Sequence, residues 1–198
     1  MKKPLLVGVT GGIGSGKTVV TKIFSILGSP IYNADQKARD LVNTDLNLRQ
    51  EIIQLLGEEA YDVNGYDSRY VASKVFSDKD TLHTLNSIIH PAVARDFDRW
   101  VSGFNSQKYL VKEAALLFES GSYSSLDFTI LVTAPIEIRI DRVLKRDTFR
   151  SESEVRDIIS NQWTEEKKTS IADFMLVNSE SQLLFPQILE LHRRFSSY

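Results

Sequence analysis

The chain contains no cysteine. Disulfides and thiolate metal sites are therefore excluded. It has no charge surplus either: 24 basic residues stand against 26 acidic ones, for a formal charge of −2. That balance provides no whole-chain attraction to nucleic acid or to a membrane surface. No apolar run approaches the ~18 residues expected of a membrane span. Met1-Lys2-Lys3-Pro4 leads directly into a short apolar segment, without a signal-type hydrophobic stretch or an arginine-rich leader. Histidines are few, and His83, His90 and His192 have no metal-ligand spacing. Internal repeats and low-complexity tracts are absent. These gaps predict a soluble cytoplasmic protein that binds neither nucleic acid nor membrane. A hydrophobic content of 42% over 198 residues is enough for the core of a single domain spanning 1–198.

Against that plain background one stretch stands out. Gly11-Gly12-Ile13-Gly14-Ser15-Gly16-Lys17-Thr18 matches the phosphate-loop pattern G-x-x-x-x-G-K-[ST] in full. Leu5 to Thr10 before it is rich in β-branched residues, and Val19 to Leu27 after it has apolar side chains at helical spacing. Glycines allow a positive φ and a close backbone approach, so that successive N–H groups can cradle phosphate oxygens at a helix N-terminus. Lys17 would reach the β- and γ-phosphates, and Thr18 would offer its hydroxyl to Mg²⁺. The predicted nucleotide contacts are thus Gly11, Gly12, Ile13, Gly14, Ser15, Gly16, Lys17, Thr18 and Val19.

The rest of the chain alternates strand and helix. Strands are predicted at Leu5–Thr10, Pro30–Tyr32, Tyr109–Val111, Phe128–Val132 and Met175–Val177. Helices are predicted at Lys17–Leu27, Ala34–Val42, around Leu48 to Leu56, at Tyr70–Phe76, Leu82–Ile89 and Ala92–Phe104, after Pro135, from about Ser153, and at Leu183–Phe195. Pro91 is expected to start a helix, with His90 before it partly buried. This pattern predicts an α/β chain of the P-loop NTPase fold. Its five-stranded, mainly parallel sheet has helices on both faces, interrupted by a helical insertion. Ligands bind such sheets at the carboxyl ends of the strands.

Each strand end has a candidate. Asp35, past strand two, suits a general base for a hydroxyl attacking the γ-phosphate; equally, it suits a charge favouring the start of the next helix. Glu113, ending strand three, would position Mg²⁺ through water or hold Thr18; otherwise it merely ends the strand. The following Leu116, Leu117 and Phe118 line a pocket or fill core. After strand four, Arg139, Arg142 and Arg146 share a helical face, anchored by Ile136, Ile140 and Val143. They read as a lid over the triphosphate or as a solvated charged face, since Glu137, Asp141 and Asp147 are interleaved.

Taken together, these residues resemble the dephospho-CoA kinase family. Thr10 to Thr18 resembles its loop, and Asn33-Ala34-Asp35 with Ala38-Arg39 its D-A-D-x-x-A-R. Leu85-Asn86 with Ile89-His90-Pro91 resembles L-N-x-x-x-H-P. Glu113 with Leu116-Leu117-Phe118-Glu119 resembles D-x-P-L-L-F-E. Arg142 with Arg146-Asp147 resembles R-x-x-x-R-D, and Gln162, Glu166, Ala172-Asp173 and Asn178 resemble the closing series. The resemblance implies ATP-dependent phosphorylation of the ribose 3′-hydroxyl of dephospho-CoA, with Mg²⁺ accompanying ATP. It implies catalytic roles for Asp35, Lys17, Arg142 and Arg146. Arg142 and Asn178 would contact ATP, and Asp35, Arg39, His90, Leu116 and Phe118 the acceptor. Thr18 would bind the metal directly and Glu113 through water. A helical subdomain at 36–105 would hold the acceptor, 139–168 would form the lid, and the chain would be a monomer or weak homo-oligomer. Asn33, Glu113 and Ala115 depart from the family's Asp, Asp and Pro. Two other readings remain: a nucleoside or nucleotide kinase of the same fold, and a nucleotide-dependent switch or binding module. A guanine-reading N-K-x-D segment is absent.

Overall fold

The computed structural model describes residues 3–75 and 78–198. In chain order the elements are β1 (Leu5–Thr10), α1 (Lys17–Ile26), β2 (Ile31–Asn33), α2 (Ala34–Thr44), α3 (Leu46–Leu56), β3 (Tyr61–Asp62), β4 (Gly65–Tyr66), α4 (Ser68–Val75) and α5 (Lys79–Ser102). They continue as β5 (Tyr109–Glu113), β6 (Phe128–Thr133), α6 (Ile136–Arg146), α7 (Glu152–Ser160), α8 (Glu165–Thr169), β7 (Phe174–Val177) and α9 (Leu184–Ser196). Phe76, expected to end a helix, lies outside the described residues. The chain divides into two compact units, one of residues up to Asn33 together with Gly103–Tyr198, the other Ala34–Ser102.

The first unit is built on a sheet of order β2-β5-β1-β6-β7, and all four pairings are parallel. It is the five-stranded α/β sheet that the alternation of strand and helix predicts. Val7 and Val9 of β1, Val111 of β5, and Ile130 and Val132 of β6 turn one face toward Val20 and Phe24 of α1 and Ile188, Leu191 and Phe195 of α9. Leu131 points the other way and lines a cavity together with α8 residues. Near-continuous burial along β1, β5 and β6 follows from being covered on both faces. Asp173 ties the start of β7 to its neighbour, accepting at 2.8 Å from both the backbone N–H and the hydroxyl of Thr129. Because the strands are parallel, β1, β5, β6 and β7 end along one edge. Gly11, the residues after Glu113, Ala134 and Asn178 emerge there.

The second unit packs Val42, Leu48, Ile52, Val71, Leu85 and Ala92 into a core of its own. Tyr61 spans it, donating from its hydroxyl to the Val42 carbonyl at 2.8 Å. Two expectations fail here. Pro91 does not start a helix: it lies inside the single 24-residue helix α5. Its ring is exposed, as is Ser87 four residues earlier. The carbonyl deprived of a partner thus faces water, while Leu85 on one side and Ala92 on the other hold the helix to the core. His90 is exposed rather than partly buried. In the first unit, the short α8 went unpredicted because Glu165-Glu166-Lys167-Lys168-Thr169 has no apolar period.

Candidate active site

The turn from β1 to α1 takes the backbone through positive φ at Gly14 (76°) and Gly16 (100°). At Gly14 a side chain would also collide with the backbone carbonyl of Arg139, and at Gly16 with the Asn178 amide. Glycine is therefore required twice over, by conformation and by space. Lys17 folds back over the turn, its Nζ donating to the Gly11 carbonyl at 2.7 Å and to that of Gly12 at 3.4 Å. The Ser15 hydroxyl is buried without a hydrogen-bond partner. A buried hydroxyl left unpaired in a glycine-rich turn suits an oxygen-rich ligand.

Glu113 closes the floor. It is buried at the end of β5 and gathers three donors: the hydroxyl of Thr18 at 3.2 Å, the hydroxyl of Thr21 at 2.9 Å and the Asn33 side-chain amide at 3.5 Å. A threonine hydroxyl beside a carboxylate is a hard-oxygen pair suited to Mg²⁺. Among the described residues no group of three or more His, Asp or Glu could cage a metal. The donor set fits a cation held mainly by phosphates and water.

The arginines of α6 do not form the expected stripe. Arg139 is buried, its Nε donating to the Ile13 carbonyl at 2.9 Å and its Nη1 lying 3.6 Å from Glu165 Oε2. Burial pushes its guanidinium below its usual pKa, partly offset by Glu165. Arg142 bonds Asn178 at both its backbone carbonyl (3.4 Å) and its side-chain oxygen (3.3 Å). Asn178 in turn donates to the Ser15 carbonyl at 2.7 Å. Arg146 alone is exposed, its guanidinium forked on Asp147 with two bonds of 2.8 Å. Ile140 and Val143 anchor α6 with Val155, but Ile136 is 49% exposed. The α6 position one turn on that turns inward is Arg139, because the loop backbone offers it an acceptor.

Comparison with known proteins places this geometry. The dephospho-CoA kinase family model matches residues 5–183. The chain belongs to the dephospho-CoA kinase family. A dephospho-CoA kinase of Bacteroides fragilis (strain YCH46) is 35% identical over 185 residues, covering 93% of this chain and 90% of that protein. The crystal structure of TT1252 from Thermus thermophilus superposes with a TM-score of 0.82 at 33% identity, over 98% of this chain and 96% of that one. A dephospho-CoA kinase structure from Campylobacter jejuni shares the fold, with a TM-score of 0.69 at 24% identity over 97% of each chain.

Two departures from the family's pattern touch one another. Asn33 and Glu113 are register partners on adjacent strands. Where the family's pattern has an aspartate at each position, here the Asn33 side-chain amide donates to Glu113 at 3.5 Å. In the Leu116–Glu119 segment the acceptor expectations divide. Leu116 is 46% exposed, but Phe118 is 1% exposed and edge-on to Tyr123. Phe118 is core, so a direct contact with acceptor is not open to it.

In the second unit, Asp35 is exposed in the first turn of α2, two residues past β2 in sequence. Arg39 lines a cavity of about 540 Å³ with Val42, Asn43, Tyr66, Ser68 and Ile89. Exposed His90 follows Ile89 on α5.

Sequence reading missed three residues of the first unit. Helical spacing puts Arg139 in the lid, although it braces the loop. Gln162 enters the sequence argument only as a motif member; its side-chain oxygen accepts from the Ile13 N–H at 3.1 Å. Buried Lys168 pairs with Glu119 at 2.8 Å, and Glu119 also accepts from the Trp163 N–H at 3.1 Å. No local signal marks Lys168, whose partner is distant in sequence. No helix among the described residues is long and apolar enough to cross a membrane.

Proposed function

We propose that this chain transfers the γ-phosphoryl group of ATP to the ribose 3′-hydroxyl of dephospho-CoA, giving coenzyme A and ADP. The observation that carries the reading is a complete phosphate loop, floored by the Thr18–Glu113 pair, in a chain matched by the dephospho-CoA kinase model from residue 5 to 183. In this reading the loop from Gly11 to Thr18 takes the phosphates, with the Gly14 and Gly16 amides among the donors. Lys17 exchanges its loop carbonyls for β- and γ-oxygens, a local move of a flexible side chain. Thr18 would hold Mg²⁺ directly and Glu113 through water; the ion, when bound, offsets charge on the phosphates. Arg142 and Arg146, within a lid at 139–168, would stabilise charge spread over the transferring group, and Arg146 would have to leave Asp147 to do so. Asn178 would lie near the adenine of ATP. The helical part at 36–105 would hold the acceptor, with Arg39, His90 and Leu116 as contacts. Asp35 would take the proton from the attacking hydroxyl, so that the new O–P bond forms as the β–γ bridge bond breaks.

The test is a phosphoryl-transfer assay offering ATP with dephospho-CoA, adenosine or nucleoside monophosphates, run on the wild-type chain and on Asp35→Asn. Turnover should be confined to dephospho-CoA. Asp35→Asn should lower kcat by about 10²–10⁴-fold with ATP affinity unchanged. Strong activity on a nucleotide alone would replace this reading with a nucleotide kinase. Near-normal turnover by Asp35→Asn would remove the proposed base.

A further inference from the structure

Residue 13 of the phosphate loop is held from outside on every side it offers. Its N–H donates to Gln162 Oε1 at 3.1 Å, and its carbonyl accepts from Arg139 Nε at 2.9 Å. Its side chain packs against Ile140 and Val143 of α6 and Val155 of α7, with Leu144 and Ile159. Gln162 follows α7, so the chain entering the helical pair α6–α7 and the chain leaving it grip the same residue. Arg139 fits this place closely. A side chain at Gly12 would collide with its guanidinium, and one at Gly14 with its backbone carbonyl. Its hydrogen bond to the loop is shorter than its 3.6 Å approach to Glu165, so the loop is the closer partner.

The consequence follows from peptide geometry. No peptide bond among the described residues is cis, so the Ile13 carbonyl and the Gly14 N–H point in opposite directions. Fixing the carbonyl on Arg139 aims the Gly14 N–H away from the Arg139 guanidinium. The same holds one step on, where Asn178 holds the Ser15 carbonyl at 2.7 Å and thereby orients the Gly16 N–H. We infer that Arg139 is a positioning residue: by holding the Ile13 carbonyl it aims the Gly14 amide at the nucleotide phosphates, as Asn178 does for the Gly16 amide. This rests on the nucleotide-binding reading above and adds a route by which α6 and α7 set the shape of the cradle. An amide fixed before the ligand arrives needs no reorganisation on binding.

The test is amide NMR of the intact chain titrated with ADP, with steady-state kinetics beside it. In wild type, ADP should move the Gly14 and Gly16 amide protons downfield. In Arg139→Gln the Gly14 displacement should fall by more than half while that of Gly16 persists, and Asn178→Ala should show the reverse. The KM for ATP in Arg139→Gln should rise by about tenfold, with the acceptor KM within about twofold of wild type. Equal loss at both glycines, or full retention at Gly14, overturns the inference. Should Arg139→Gln fail to fold, Arg139→Lys keeps the charge and buried stem but loses the Nε donor. The same Gly14-selective loss is expected there, and its absence is equally fatal. Wild-type amides that ignore ADP would overturn the nucleotide reading itself, and this inference with it.

Discussion

At the scale of single residues, the pairing of Asn33 with Glu113 shows how one side chain constrains another across a sheet. Glu113 is buried and accepts from Thr18, Thr21 and Asn33. Replacing Asn33 with aspartate substitutes a second carboxylate for a donor 3.5 Å away. Two like charges so close repel one another, and added salt screens them. Asn33→Asp should therefore melt below wild type at low salt, and the gap should narrow as salt is added. A gap in melting temperature that stays constant with salt would show that the two groups do not share one field. Much of this neighbourhood was legible in the sequence, because the loop is contiguous and Glu113 falls at a strand end. Arg139 was not legible: helical spacing puts it on the same stripe as Arg142 and Arg146. Only the fold shows that its position faces the Ile13 carbonyl, 126 residues away in sequence.

At the scale of elements, sequence patterns succeeded where one periodicity dominated and failed where tertiary packing overruled it. The β1–loop–α1 unit has a strand period, a glycine turn and a helical period in succession, and its bounds came out almost unchanged. The break expected at Pro91 did not, since proline's cost is local whereas the hold on α5 comes from buried residues on both sides of it. That cost is still present. With an exposed ring, Pro91 removes one hydrogen bond and gains no buried contact that would offset it. Pro91→Ala should restore the bond to the Ser87 carbonyl and raise the unfolding free energy by about 1–3 kcal/mol. Denaturant melts followed by helical circular dichroism would show it as a higher midpoint at an unchanged slope. An unchanged or lower midpoint would mean that the ring fills a role its exposure hides. The helix α8 escapes sequence patterns for a different reason. Its five residues are all polar, and it is held by Lys168 reaching the Glu119 carboxylate and by Glu165 beside Arg139.

At the scale of the whole molecule, each unit has a buried tyrosine that makes its stability depend on alkaline pH. In the sheet unit, Tyr109 begins β5 and its hydroxyl lies 2.7 Å from His192 Nδ1 on α9, among Phe24 and Phe195. In the helical unit, Tyr61 donates to Val42 under Arg49. Burial pushes both phenols up to about 12, with Tyr66 adding to the rise at Tyr61. In the unfolded chain a tyrosine ionises near 10. Below about pH 10 both states keep the proton, and the contribution to stability is complete. Between about 10 and 12 the unfolded chain ionises first, so stability falls across that window and levels off above it. Tyr109→Phe cannot ionise at that position. The variant should be weaker than wild type at about pH 9, having lost the His192 contact, yet lose less of its remaining stability by about pH 11. Urea midpoints at the two pH values test this, with tryptophan fluorescence as the signal. If wild type and Tyr109→Phe decline in parallel, Tyr109 is not what ties the sheet unit's stability to alkaline pH, and the decline must come from other groups.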